Sequence, residues 1–172
     1  IKPAPANMAA GSSVELTVTA YDSGGNLATS YSGLKTLTFT GLTNDLEGNI
    51  PAVEGVNRGI AMGSITFTNG ASSANALTLV AYKVESAALD VSDGAINSSG
   101  DAAYDLDLTV TAGNASKLKF NPAPAGPYTV GSVWAPSFAV SLYDAYGNAR
   151  GSGTDTITLT EDGASGSFGA GT

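Results

Sequence analysis

Apolar and polar residues alternate with a period of two along most of this chain. From Val14 to Ala20 the even positions (Val14, Leu16, Val18, Ala20) are apolar and the odd ones (Glu15, Thr17, Thr19) are polar. As a strand, the segment turns the first set toward a core and the second toward solvent. The same reading turns Leu37 and Phe39 inward, then Ile65 and Phe67, then Leu77, Leu79 and Ala81, then Leu89 and Val91. Tyr104, Leu106, Leu108 and Val110 close the series, opposite Asp105, Asp107 and Thr109. Thr and Val enrich these runs, and no helical apolar stripe of about 10–12 residues interrupts them. Turn-forming groups separate them: Ser23-Gly24-Gly25-Asn26, Asn69-Gly70, Ser92-Asp93-Gly94 and Ser98-Ser99-Gly100-Asp101. Roughly seven short strands with turns between them predict an all-β fold, two antiparallel sheets packed as a sandwich.

The pattern then starts again. Lys2-Pro3-Ala4-Pro5-Ala6 returns as Asn121-Pro122-Ala123-Pro124-Ala125, Tyr21-Asp22-Ser23-Gly24-Gly25-Asn26 as Tyr143-Asp144-Ala145-Tyr146-Gly147-Asn148, and Thr36–Thr40 as Thr156–Thr160. The offsets are 119 (Pro3 to Pro122), 122 (Asp22 to Asp144) and 120 (Thr36 to Thr156). A repeat near 120 residues predicts a complete unit over 1–113 and the first half of a second over 114–172. The second has expected strands near 117–121, 137–143 and 155–160. Alone, that half exposes apolar faces and strand edges, so it calls for cover from the first unit, a swapped partner or a donated strand.

Ala10-Gly11-Ser12-Ser13-Val14 through Asn26, followed by Ala28-Thr29-Ser30-Tyr31-Ser32-Gly33, resembles the immunoglobulin-like repeats of large prokaryotic surface proteins. Phe138 to Asn148 carries the same core of the motif. The resemblance spans one stretch in each unit. It implies an immunoglobulin-like antiparallel β-sandwich, an extracellular or cell-surface location, and tandem use in adhesins, cell-wall or S-layer-associated proteins. It does not imply a ligand, since one sandwich hosts many functions.

Composition narrows the chemistry. The chain has no Cys and no His, which excludes thiol catalysis, disulfides, Cys-based zinc sites and His-dependent triads. A formal charge of −8 repels nucleic acid and anionic lipid. No apolar run approaches the ~18 residues of a membrane-spanning helix. The opening at Ile1, without Met or a signal segment, is that of a mature or excerpted protein.

In the two Asp-x-x-Gly-Asn elements, Asp22, Gly25 and Asn26 and then Asp144, Gly147 and Asn148 are structural turn residues, an Asp accepting backbone N–H groups while Gly takes positive φ. Two other loops are acidic. Asp45 and Glu47 sit in one, and Asp93 and Asp101 in the second; together they are the candidate oxygen ligands for Ca²⁺. The bland reading is solvated acid, since neither loop has the spacing of an EF-hand. Paired acids also suggest a glycosidase, but no stacking aromatics accompany them. Trp134, Tyr128 and Tyr146 form a candidate aromatic surface, with packing at the core edge as the rival role for Trp134. The expectation is therefore a non-enzymatic spacer or assembly module whose partners are other copies or domains of the same surface protein. The alternative is a carbohydrate- or receptor-binding adhesin module.

Overall fold

The computed structural model describes residues 7–74, 76–123, 125–127, 129, 131–132, 138–151 and 156–160. These residues form strands, turns and loops and no helix. In chain order the strands are β1 (Asn7–Ala9), β2 (Ser13–Leu16), β3 (Gly33–Thr40), β4 (Ala52–Val53), β5 (Val56–Asn57), β6 (Ala61–Thr68), β7 (Ala71–Ser72), β8 (Leu77–Val80), β9 (Glu85–Ser92), β10 (Leu106–Thr111), β11 (Lys117–Phe120) and β12 (Val140–Tyr143). One sheet has the order β1-β10-β9-β3-β6-β7 and the other β2-β8-β4-β5. The pairing is antiparallel except for β1 beside β10. The two sheets curl around one core, an arrangement consistent with a β-sandwich.

The alternating runs build that core. Leu16, Leu37, Phe39, Leu77, Leu79, Leu89, Leu106, Leu108 and Val110 are all buried, and Val14 and Ile65 pack against them half-buried. Each fully buried Leu or Phe contributes about 1.5–3 kcal/mol over an exposed one. Met62 also faces inward, although it lies an odd number of positions from Phe67. A bulge explains this. Between Lys35↔Ile65 and Leu37↔Met62, β3 advances two residues while β6 advances three, and Ser64 absorbs the extra one at φ 72°.

Two tight hairpins fix other registers. Asn69-Gly70 joins β6 to β7 and Glu54-Gly55 joins β4 to β5, each with positive φ at both central residues. That geometry matches the right-handed twist of the flanking strands. After β2 the chain continues along the β6–β7 turn. The Ser72 N–H donates to the Val18 carbonyl at 2.8 Å, and the Ala20 N–H to the Gly70 carbonyl at 2.7 Å.

The fold has two ends. At the upper end lie the turn after Tyr21, the segment around Tyr31 and the loop from Ser92 to Tyr104. At the lower end lie Gly11, Tyr82, the loop after β3 and Gly113. β11 and β12 form a separate antiparallel pair beyond the lower end, with Leu118 opposite Leu142 and Phe120 opposite Val140. The rings of Phe120 and Phe138 meet edge to face at 5.2 Å. Residues 156–160, expected as a strand, are not one here. Their counterpart β3 is held between β6 and β9, and among the described residues nothing near 156–160 plays those two parts.

Candidate functional site

Three Asp-x-x-Gly-Asn turns, rather than two, organise the ends of the molecule. At Asp22–Asn26 the Asp22 Oδ1 accepts the N–H groups of Gly24 and Asn26, both at 2.9 Å. At Asp144–Asn148 the Asp144 Oδ1 accepts those of Tyr146 and Asn148, again at 2.9 Å. Asp45–Asn49 repeats the arrangement. Its Asp45 Oδ1 accepts the N–H groups of Glu47 and Asn49, and the Asn49 amide donates to Oδ2 at 2.6 Å. In all three the Asp N–H donates to the Asn carbonyl, and the Gly N–H bonds back to the Asp carbonyl. The sequence Asp45-Leu46-Glu47-Gly48-Asn49 carries this signal, which its second acid disguises as a ligand cluster.

The environments of the three differ. Asp22–Asn26 is exposed at the upper end, whereas Asp144 and Asn148 are buried, at 1% and 7% exposure. The Asp144 turn is docked into the lower end of the two-sheet body. Asn148 accepts the Val84 N–H at 2.8 Å and donates to the Tyr82 carbonyl at 2.7 Å. Asp144 Oδ2 accepts the Gly113 N–H at 2.9 Å. The Tyr146 ring packs 5.0 Å from that of Tyr82 and lies directly over Gly11, where an added Cβ would meet its hydroxyl at 2.1 Å. On the other side Gly147 meets Leu46 and Glu47, and Lys117 pairs with Glu47 at 2.9 Å. Burial alone would raise the Asp144 pKa, but the Asn148 amide and the N–H groups of Gly113, Asn148 and Tyr146 outweigh it and hold the carboxyl below its ordinary value.

The upper end is open. A cleft of about 500 Å³ enters between the sheets, floored by Val18, Ala20, Leu37, Phe67 and Val91. Tyr21, Tyr31 and Tyr104 wall it, with Asp22, Asp93 and Asp101. The Tyr21 and Tyr104 rings pack at 5.4 Å, and the Tyr31 hydroxyl donates to Asp93 at 2.6 Å. Burial and that carboxylate raise the Tyr31 pKa. Asp93 is also partly desolvated, yet the N–H groups of Ile96 and Ala95, the Tyr31 hydroxyl and the Lys35 charge keep its pKa low. Nearby, burial raises the Asp105 pKa, with help from Asp107, Asp90 and Asp101.

The four candidate calcium ligands are not gathered in one place. Asp45 and Glu47 lie at the lower end, Asp93 and Asp101 at the upper, separated by the eight residues of β3, or roughly 25 Å. Asp45 and Asp93 are engaged by N–H and O–H donors, Glu47 by Lys117, and Asp101 by the Ala103 N–H. Among the described residues no three acidic side chains cluster to hold a metal. Of the candidate aromatic surface, Tyr146 belongs to the docked turn, while Tyr128 and Trp134 fall outside the described residues. The chain matches no protein-family model, no curated protein and no solved structure.

Proposed function

We propose that this chain is a non-catalytic structural module of an extracellular or cell-surface protein, built from immunoglobulin-like repeats stacked end to end. The observation that carries the reading is the docking of the Asp144–Asn148 turn into the lower end of the preceding body. A flexible tether would leave such a turn in water. Here polar groups of both parts are exchanged and buried, and an aromatic ring covers a glycine, which fixes an orientation as well as an attachment. The sheet orders support an immunoglobulin-like topology: β1 joins β10 in parallel at one edge, and β2-β8-β4 form the facing sheet. The recurrence of the same turn at the top of each unit supports a spacer that propagates head to tail.

Residual dipolar couplings test the spacer role. Amides of the two-sheet body and of β11–β12 should fit one alignment tensor, as a rigid rod requires. Two independent tensors would overturn it.

The upper cleft favours a second reading, a carbohydrate- or receptor-binding module, because three tyrosines and several polar groups converge there. Saturable binding on a glycan array, lost with Tyr104→Ala, would select it over the spacer.

A further inference from the structure

The Val18–Tyr21 segment is paired along one edge only. Antiparallel bridges join Thr19 to Ala71 and Tyr21 to Leu27. Their hydrogen bonds run through the flanking residues Val18, Ala20 and Asp22. In such a ladder the N–H and C=O groups of Thr19 and Tyr21 point the other way, and among the described residues nothing pairs with them.

The equivalent segment farther along the chain shows what that edge accepts. At the offset of 122 set by Asp22 and Asp144, Thr19 corresponds to Ser141 and Tyr21 to Tyr143. There β11 fills the edge: Lys119 lies opposite Ser141 and Lys117 opposite Tyr143, and the Ser116 N–H donates to the Tyr143 carbonyl at 2.8 Å. The alternate residues Leu118 and Phe120 lie opposite Leu142 and Val140, the counterparts of Ala20 and Val18. Val18 and Ala20 are part of the floor of the upper cleft. The cleft thus lies where an added strand would place its apolar side chains.

We propose that the upper cleft is a strand-addition site: an extended segment of another polypeptide, with basic and apolar residues alternating, pairs antiparallel with Val18–Tyr21 and seats its apolar side chains in the cleft. Backbone pairing supplies the attachment and the alternate pockets supply selectivity. Charge argues for a basic partner, since Asp22, Asp93 and Asp101 line the cleft and the chain carries −8 overall. The filled edge uses the same alternation, Lys117-Leu118-Lys119-Phe120. The inference stands apart from the spacer reading, because it concerns an edge at the opposite end from the docked turn.

The probe is a labelled peptide with the sequence of residues 115–121, titrated into the full chain and read by fluorescence anisotropy and amide exchange. Three results are expected together: saturable binding, slowed exchange at the Thr19 and Tyr21 amides, and affinity weakened about tenfold or more when the peptide is N-methylated at the position of Lys119. Absence of saturable binding overturns the proposal. So does equal binding of the N-methylated or a scrambled peptide, which would mean charge attraction without pairing. Protection that appears only on β12 would mean exchange into the C-terminal pair, and Thr19 and Tyr21 amides already protected before peptide is added would mean the edge is covered by the chain itself. Either result overturns it as well.

Discussion

Asp22 and Asp144 make the same local hydrogen bonds in turns of the same sequence pattern, so they form an internal control for burial. Truncating Asp144 leaves buried N–H donors of Gly113, Tyr146 and Asn148 without an acceptor, and two such groups cost about 2–4 kcal/mol. Truncating Asp22 hands its donors to water, and the cost is about 1 kcal/mol or less. Asp144→Ala should therefore lower stability to urea clearly more than Asp22→Ala, and equal losses would show that the second turn is not buried. The pH dependence has a definite sign. Because the Asp144 pKa is lowered on folding from 3.8, its stabilisation is fully present above that value and fades as pH falls through the folded pKa. Acid below about pH 3.8 should loosen the junction in the wild type, and Asp144→Asn should flatten that response. At this scale the sequence was readable where one residue type has one use. Asp22 and Asp144 as turn residues follow from spacing alone. Asp45 obeys the same spacing, but with Glu47 beside it the pair resembles a ligand set, and only the hydrogen bonds reveal the turn.

Strands were legible wherever one face is buried and the other wet, since burial then imposes a period of two on the residues. That covers the runs feeding β2, β3, β8, β9 and β10, and also the Asn69-Gly70 hairpin, whose residues accept positive φ. The signal fades where other constraints act. β1 and the β4–β5 pair are only two or three residues per strand, too short to show a period, and Glu54 is an uncommon residue at positive φ. In β6 the bulge breaks the alternation, so the inward turn of Met62 cannot be read from spacing. Ser64 at φ 72° is the cost of that bulge, and a β-branched residue would fit it worse. Ser64→Gly should hold or raise the melting temperature, whereas Ser64→Val should lower it by the equivalent of about 1–2 kcal/mol. If Val were as stable as Gly, the bulge would lie elsewhere in β6.

For the whole molecule, the repeat read from sequence offsets recurs as shared hydrogen bonding in the turns, while the relation between the units required coordinates. Nothing in Tyr146 or Asn148 alone announces a partner 60 or more positions away at Tyr82 and Val84. Gly11 shows why: its role is to leave room for the Tyr146 ring, and a glycine that makes space looks like any other turn glycine in the sequence. The two ends of the body are consequently unlike. The lower end is closed by the docked turn, while the upper end has Gly24 where the docked turn has Tyr146, and keeps an open cleft. Amide exchange at Val84 and Gly113 tests the central claim most directly, because the acceptors of these two N–H groups, Asn148 and Asp144, lie across the junction. The account predicts slow exchange at both in the wild-type chain, with Val84 released by Asn148→Ala and Gly113 by Asp144→Ala while β8 and β9 stay protected. Fast exchange at both amides in the wild type, or no change in either variant, would contradict it.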